Sequence, residues 1–255
     1  MKNNRQSFLG DSLDYILENT KVGVIGLGGG GSQIVQQLAH IGFKNYILCD
    51  YDVFEDTNIN RTVGSKLEDI AKSSTKLSIA VRLIRGIIPD ANIIEINDKF
   101  QTAPAEIVKA DILFGCLDGL RNREQLENLA RRNKIPYIDI GMDVTHPSNI
   151  PVIRGQVIAS LPEMPCMWCM GFINKEHLTR EDAAYGEAGI RPQVIWPNGT
   201  LASTAIHIAM NLLTNWTKKS DKQVLYYEYD GNKGTVRPHI HFEMNKFKIC
   251  DHHNY

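Results

Sequence analysis

The stretch Val22-Gly-Val-Ile-Gly-Leu-Gly-Gly-Gly-Gly31 decides the fold of this chain. Its apolar start predicts a short buried strand, and the glycines of residues 26–31 predict a turn whose backbone can approach a phosphate closely. A helical stripe of apolar residues follows over residues 34–41, so the turn opens a helix. The N–H groups and the dipole at a helix N-terminus favour anions. The stretch therefore predicts a nucleotide site, although a glycine turn alone does not distinguish NAD, FAD and ATP.

The composition is typical of a globular protein. The chain has 255 residues, of which 43% are hydrophobic and 22% charged, enough for one large domain or two small ones. Its net charge of −1 gives no reason to expect a nucleic-acid partner. Since no apolar run of about 18 residues and no apolar signal segment occurs, we expect a cytoplasmic protein without membrane spans. Five unevenly spaced cysteines argue against a disulfide framework and favour a metal site or buried thiols.

Acidic and basic residues follow the second predicted strand. The apolar run of residues 46–49 ends at Asp50, about 20 residues after the glycine turn, where an acid can accept hydrogen bonds from ribose hydroxyls. The alternative is an Asp that only caps the next turn. Asn58, Arg61 and Lys76 come next, and Lys76 opens a predicted helix. A nicotinamide cofactor does not need these cations here, whereas a triphosphate whose charge must be neutralised does.

Three more strands complete the predicted parallel sheet. Asp118 follows one of them, at the edge of the sheet where ligands bind in this architecture, and a carboxylate there can hold Mg²⁺ against phosphates. The alternative is that Asp118 is only the N-cap of a helix over residues 119–133. A short helix is also predicted over residues 103–109. The strands are predicted over residues 92–96, 111–116 and 136–140.

The C-terminal half predicts a different arrangement. Residues 152–160 predict a sixth strand that can turn antiparallel. Residues 174–198 are polar, contain Gly and Pro and lack a period, which predicts a crossover loop able to order over a bound polypeptide tail. His239 and His241 would lie on one face of the last strand, as surface residues. This half also predicts a helix over residues 201–216 and strands over 224–229 and 236–242.

Taken together, these residues resemble the ThiF/MoeB/HesA adenylyltransferases, the bacterial relatives of ubiquitin-activating enzymes. The resemblance covers nearly the whole chain. We therefore expect a doubly wound, Rossmann-like α/β fold with a mixed sheet, a C-terminal antiparallel extension and a zinc knuckle. Residues 1–255 would form one domain, with the ATP site in residues 1–145 and the crossover loop, zinc site and carrier platform in residues 146–255. The resemblance is carried by Arg5-Gln6, Gly26-x-Gly28-Gly29-x-Gly31, Asp50-x-Asp52, Asn58-x-x-Arg61, Lys76, Asp118 with Arg123, and a two-part cysteine site.

The resemblance implies ATP-dependent activation of a C-terminal carboxylate to an acyl-adenylate, with release of pyrophosphate. The carboxylate usually belongs to a ubiquitin-like sulfur carrier that ends in Gly-Gly. Arg5 matches an arginine finger that reaches into the partner subunit's site, which implies a homodimer. Positioned cations and metal dominate such a reaction, and no protein nucleophile is required. The implied catalytic residues are Arg5, Arg61, Lys76 and Asp118. The implied nucleotide-binding residues are Asp50 for the ribose, Asn58, Arg61 and Lys76 for the phosphates and Asp118 for Mg²⁺, together with Gly28, Gly29, Gly31, Asp52 and Arg123.

Two pairs of residues predict a structural metal site. Cys166 and Cys169 form a Cys-x-x-Cys knuckle, and Cys250 with His253 forms a Cys-x-x-His pair near the end of the chain. Four N or S ligands in two pairs suit tetrahedral Zn²⁺, and similar family members carry two Cys-x-x-Cys pairs at these places. His252 is the alternative fourth ligand. A metal-free or redox-active Cys-x-x-Cys is the alternative to zinc.

The chain also departs from the family pattern. Several relatives hold a thioester-forming cysteine just before a Glu-Ala-Gly, but here Tyr185-Gly186 precedes residues 187–189 and that loop has no cysteine. Cys49 and Cys116 lie in apolar runs, which favours core positions. We therefore expect adenylation without a covalent enzyme–carrier thioester. Thr62 stands where the family usually has Gln, and Gly119 stands where Asn often follows the Asp.

Two alternatives to a carrier or peptide substrate stay open. One is an enzyme similar to tRNA threonylcarbamoyladenosine dehydratase, which residues 131–136 resemble locally; the paired metal ligands and the near-neutral charge oppose it. The other is a catalytically silent dimeric scaffold. Asp118, Lys76 and Arg61 oppose a silent scaffold, whereas Thr62 and Gly119 leave it open.

Overall fold

A single eight-stranded sheet organises the molecule. The computed structural model of the chain describes residues 4–146, 149–183, 192–218, 223–246, 248 and 250–253. Within these residues the strand order is β3-β2-β1-β4-β5-β6-β7-β8. The first five strands in that order are parallel, and the remaining pairings are antiparallel. The strands are β1 Lys21–Ile25, β2 Asn45–Cys49, β3 Asn92–Ile96, β4 Ile112–Gly115, β5 Tyr137–Thr145, β6 Val152–Ser160, β7 Tyr226–Asp230 and β8 Thr235–Pro238.

Helices connect and cover the strands. The longest described helix, α8, packs against α2 and against β5 and β6. In the described part of the chain, no helix has both the length and the apolar character that a membrane span requires. The helices are α1 Leu13–Asn19, α2 Gly29–Ile41, α3 Leu67–Ala71, α4 Lys76–Ile87, α5 Pro104–Ile107, α6 Leu120–Arg132, α7 Lys175–Ala183, α8 Ile195–Thr214 and α9 Ile240–Asn245, with 3-10 turns at Asn4–Leu9, Asp56–Asn58 and Phe100–Thr102.

The parallel half confirms the predicted Rossmann-like arrangement. Val24 of β1 lies opposite Leu48 of β2 and Phe114 of β4, and all three side chains are fully buried. Strands covered on both faces are typically continuous apolar runs, which is why the sequence of this half indicates them clearly. The parallel register brings the carboxyl ends of β1, β2 and β4 to one edge of the sheet.

The antiparallel half confirms the predicted extension but shifts several boundaries. β5 continues to Thr145 and pairs with β6 over its whole length. Helix α8 begins at Ile195 rather than at residue 201. The prediction of a strand through residue 242 is wrong, because β8 ends at Pro238 and α9 begins at Ile240. His239 caps this helix, and its Nδ1 accepts a hydrogen bond from the His241 N–H at 3.1 Å.

Candidate nucleotide site and cysteine cluster

A cleft of about 320 Å³ opens at the carboxyl ends of the parallel strands. Ligands bind at this edge in open α/β sheets. Of the predicted residues, Arg5 lies elsewhere in the described chain, on the exposed N-terminal 3-10 turn, and Gly31 lies inside α2. The predicted residues that line the cleft are Gly28, Gly29, Asp50, Asp52, Asn58, Arg61, Lys76, Asp118 and Arg123.

The glycine turn has the geometry that a phosphate site needs. Gly26 has φ +87°, and a Cβ there would lie 2.4 Å from the Cys116 carbonyl oxygen. A Cβ on Gly31 would lie 1.9 Å from the Gly26 carbonyl oxygen, so a side chain fits at neither position. Helix α2 begins at Gly29, and its N-cap, Gly28, has no side chain to cap it. The first N–H groups of α2 therefore face the cleft as a potential anion site.

Asp50 holds the glycine turn in place. Its carboxylate accepts hydrogen bonds from the Leu27 N–H at 2.6 Å and from the Asp52 N–H at 2.8 Å. Asp50 is buried, and burial raises the pKa of its carboxyl, whereas the two amide hydrogen bonds and Lys76 act against that rise. Each Asp50 oxygen thus accepts one backbone hydrogen bond. Each also keeps a second lone pair, which could accept a hydrogen bond from a ribose hydroxyl.

Two cations line the same cleft. The Lys76 ammonium forms an ion pair of 2.6 Å with Asp52, and its side chain is only 15% exposed. Arg61 Nη1 donates to the Thr57 carbonyl and, at 3.1 Å, to Asn60 Oδ1. Asn58 is buried and fixes the turn through its Oδ1, which accepts the Glu55 N–H at 3.2 Å. Hydrogen bonds therefore hold this loop in a defined conformation, and it presents positive charge beside the glycine turn.

A buried ion pair supports the other side of the cleft, and the sequence analysis missed its acid. Arg123 Nη1 donates to Asp139 and, at 3.1 Å, to the Ile140 carbonyl oxygen. The Tyr137 hydroxyl donates to the other Asp139 oxygen at 2.8 Å. Burial raises the pKa of Asp139 to about 6, although Arg123 and Tyr137 both oppose the rise. An acid inside an apolar strand was the available signal, since buried charges are rarely unpaired.

Helix α8 supplies a second residue that the sequence analysis missed. Asn198 is buried in its first turn, and its Nδ2 donates to the Val194 carbonyl oxygen at 3.0 Å. A Cβ on Gly29 would lie 2.5 Å from that Nδ2, so Asn198 packs directly on the glycine turn. The prediction that α8 starts at residue 201 placed Asn198 in a loop and hid this contact.

Asp118 and the start of α6 lie beside the crossover helix α7. Gly119, not Asp118, is the N-cap of α6, which removes the alternative that Asp118 only caps this helix. Glu181 of α7 accepts the N–H of Leu120 at 2.7 Å and the N–H of Arg121 at 3.0 Å. A carboxylate is the favoured partner of a helix N-terminus, so Glu181 fastens α7 to α6.

The departure at Gly119 matches this contact, which gives a testable prediction. Gly119 has φ +83° and ψ 140°, and a Cβ there would lie 2.9 Å from Glu181 Oε1. Gly119→Asn should lower the free energy of unfolding by about 1–3 kcal/mol, because the backbone conformation favours glycine. Denaturant unfolding monitored by circular dichroism measures it.

Two further variants separate the causes. Gly234→Asn, at φ +65° with open space around the Cβ, is the matched control and should change stability little. Adding Glu181→Ala to Gly119→Asn should recover part of the loss if the side-chain contact contributes. Equal stability of Gly119→Asn and the wild type would contradict the account.

A second cavity of about 600 Å³ adjoins the cleft, and both are lined by Arg123 and Met142. His239 and His241 line it; His239 is partly buried and His241 is exposed, and neither lies on a strand, which the sequence had predicted for both. The His239 ring stacks on Tyr226 with centroids 4.1 Å apart, and burial lowers the pKa of His239. His241 Nδ1 lies 3.0 Å from the Met170 carbonyl oxygen.

Three cysteines and one histidine converge into a second cluster. Cys166 Sγ lies 3.6 Å from Cys169 Sγ, and His252 Nδ1 lies 3.6 Å and 3.4 Å from these two atoms. Cys250 completes the group, whose ligand atoms all lie within 4.8 Å of one another. These separations suit tetrahedral zinc with bonds of about 2.0–2.3 Å.

The histidine of this cluster is His252, so the choice of His253 from the sequence needs correction. His253 Nε2 instead lies 3.8 Å from Glu127 Oε2. The structure thus selects the alternative by the direction of the side chains in the turn after Cys250, which the Cys-x-x-His spacing does not encode.

The remaining cysteines agree with the predicted core positions. Cys49 is buried and Cys116 is partly buried at the cleft. Burial raises the pKa of Cys49 to about 12 and also raises the pKa of Cys116, which disfavours the nucleophilic thiolate. The Glu187-Ala188-Gly189 segment lies outside the described residues.

The comparison with known families assigns the chain. The model of the ThiF family matches residues 2–250. The chain belongs to the ThiF family. This match confirms the resemblance. Two relatives, described next, are named as an activating enzyme E1 and an adenylyltransferase, so the protein is an E1-like adenylyltransferase.

Relatives of this ThiF protein are named as enzymes of the same type. It is 26% identical to the SAMP-activating enzyme E1 of Haloferax volcanii over 215 residues, 83% of this chain and 74% of the relative. It is 25% identical to the molybdopterin-synthase adenylyltransferase of Escherichia coli over 222 residues, 83% of this chain and 80% of the relative. Its fold is like that of E. coli MccB crystallised with ATP, with a TM-score of 0.75 at 19% identity over 98% of this chain and 74% of MccB.

Proposed function

We propose that this ThiF protein uses ATP to adenylate the C-terminal carboxylate of a ubiquitin-like carrier protein or a small peptide, with release of pyrophosphate. The observation that carries the proposal is the cleft that Lys76, Arg61, Asp118 and the glycine turn line together, at the N-terminus of α2, which has no side-chain cap. A dinucleotide site does not need two cations and an acid at this place, whereas a site for a nucleoside triphosphate does.

Each residue has a role in this reaction. The attacking carboxylate and the α-phosphate are both anionic, so the barrier falls when fixed positive groups neutralise the phosphate oxygens. Lys76, Arg61 and the first N–H groups of α2 supply that charge, and Asn58 and Asp50 hold the phosphate loop and the ribose. Magnesium, when bound at Asp118, supplies further positive charge at the phosphates.

The substrate class follows from the relatives and the neighbouring cavity. Enzymes named as a SAMP-activating enzyme E1 and a molybdopterin-synthase adenylyltransferase match most of this chain, and MccB has a similar fold. The second cavity adjoins the nucleotide cleft through Arg123 and Met142, which gives a polypeptide tail a path to the phosphates. We place the tail there and expect the crossover segment to order over it.

The proposal includes a homodimer and a structural zinc ion. Arg5 lies on the exposed N-terminal turn, outside the cleft of its own chain, as an arginine that acts on a partner subunit's site would. Zinc would be held by Cys166, Cys169, Cys250 and His252, and would fix the C-terminal tail to the segment after β6.

Mass spectrometry of the reacting chains tests the proposal. The protein is incubated with ATP, Mg²⁺ and a panel of carriers ending in Gly-Gly or of short peptides, and the products are treated with hydroxylamine. We expect a substrate hydroxamate that forms only with ATP, and no DTT-sensitive adduct on the enzyme. An enzyme adduct that requires Cys49 or Cys116 would contradict the thioester-free route. Hydroxamate on modified tRNA alone would support the dehydratase alternative instead.

A further inference from the structure

A second group of ligand-type side chains lies against the cysteine cluster. Glu127, Cys166 and His253 each present one ligand atom, and these atoms all lie within 4.8 Å of one another. Cys166 belongs to both groups. The second group is buried, because the Glu127 side chain is 0% exposed and the His253 side chain is 4% exposed. This set does not belong to the nucleotide cleft.

Among the described residues, one oxygen of the buried Glu127 carboxylate has no hydrogen-bond donor. Its Oε1 accepts the Met167 N–H at 2.9 Å, which fixes the direction of the carboxylate. Its Oε2 is buried and accepts a hydrogen bond from none of the residues that the structure describes. A buried carboxylate oxygen without a hydrogen-bond donor or a cation is strongly destabilising. A positive charge or a bound cation next to Glu127 Oε2 would remove that cost.

The distance to His253 suits a shared cation better than a hydrogen bond. Glu127 Oε2 and His253 Nε2 are 3.8 Å apart, beyond hydrogen-bond range. Two ligands of one tetrahedral zinc ion, each bound at about 2.0–2.2 Å, stand about 3.3–3.6 Å apart, so a small closing movement would bring these two atoms to that separation. Thiolate and imidazole ligands also favour zinc over magnesium or calcium.

Charge balance favours a second cation as well. Three thiolates outweigh the two positive charges of a zinc ion, so the cluster of Cys166, Cys169, Cys250 and His252 is anionic when occupied. Glu127 adds another buried negative charge beside it. Arg131 offsets part of this charge, but its guanidinium already donates to Ser160 Oγ at 3.0 Å and to the Leu161 carbonyl at 2.6 Å. A second divalent cation removes the excess.

We propose that Glu127, Cys166 and His253 bind a second zinc-class divalent cation, with the Cys166 thiolate bridging the two metal sites. The C-terminal tail would then be fixed to α6 as well as to the Cys-x-x-Cys knuckle. The competing arrangement is a single zinc ion with His253 paired directly to Glu127. The proposal is independent of the adenylation reaction.

Metal content tests this directly. The full chain, expressed and dialysed with zinc, is analysed by elemental analysis and native mass spectrometry. We expect two zinc ions per chain, and one in Glu127→Gln, which keeps the oxygen that accepts the Met167 N–H. Glu124→Gln is the matched control: it lies on the same helix and accepts the Trp168 Nε1–H at 3.1 Å, but it is outside both groups and should keep two ions.

A second variant protects the test against misfolding. If Glu127→Gln does not give folded protein by circular dichroism, His253→Gln is analysed in its place, with the same expected loss of one ion. One zinc ion per wild-type chain, or two ions retained in either folded variant, would overturn the proposal and leave the single-zinc arrangement.

Discussion

Asp118→Ala should lower the rate of ATP–pyrophosphate exchange by about 100- to 1,000-fold, the usual cost of removing one group that stabilises transition-state charge. Asp118 follows β4 and lines the same cleft as the glycine turn and the Arg61 and Lys76 cations. In the proposed reaction, Mg²⁺ at the phosphates would lose its protein ligand without this carboxylate. ATP binding through the other cleft residues should persist, so the loss should lie in turnover.

Two measurements separate this effect from a loss of structure. Asp90→Ala is the control, because the Asp90 side chain is 75% exposed and is not among the residues that line the cleft, and exchange should stay at the wild-type rate. Unfolding curves of Asp118→Ala should match the wild type, since Asp118 does not cap α6. Full exchange activity in Asp118→Ala would remove it from the mechanism.

Asp139→Ala should lower the free energy of unfolding by about 3–5 kcal/mol, because it leaves the buried Arg123 guanidinium without its partner. Both side chains are buried, and the Tyr137 hydroxyl also loses its acceptor. Arg123 lines the cleft, so its displacement should weaken nucleotide binding in the same variant. Urea denaturation and ATP titration calorimetry measure the two effects.

A double variant tests whether the lost pairing is the cause. Asp139→Ala combined with Arg123→Met removes both charges and should be more stable than Asp139→Ala alone, because no unpaired charge stays buried. Lys72→Ala is a comparison at an ion pair with Glu68 whose side chains are 65% and 51% exposed, and its cost should be smaller. A change below about 1 kcal/mol in Asp139→Ala would contradict the buried-pair account.

The parallel half of the sheet was predictable from the sequence for a physical reason. Its strands are covered on both faces, so each is a short apolar run, and the polar residues that follow, such as Asp50 and Asp118, mark the strand ends. The same logic placed nine of the predicted residues around one cleft. Local sequence and tertiary position coincide there.

The C-terminal half was harder because tertiary contacts decide it. Val236 to Phe242 has apolar character suited to a strand, yet His239 caps a helix and stacks on Tyr226. The choice between His252 and His253 depends on the direction of two adjacent side chains in one turn. No spacing rule encodes that direction.

Partners distant in sequence also escaped the sequence analysis. Asp139 pairs with Arg123, and Glu181 binds the start of α6 next to Gly119. Gly119 differs from the family pattern where this carboxylate fills the space of a side chain. The glycine at position 119 suggested a weakened nucleotide site, but the Glu181 carboxylate compensates for the missing side chain. This favours an active enzyme over a silent scaffold.

The most direct test of the central claim is ATP–pyrophosphate exchange by the purified protein, with carriers ending in Gly-Gly and short peptides supplied in turn. Each substrate is compared with the same chain carrying a C-terminal carboxamide. We predict exchange that requires a free C-terminal carboxylate and is lost with the carboxamide. ATP binding without exchange for every carboxylate substrate in the panel would contradict adenylation by this protein.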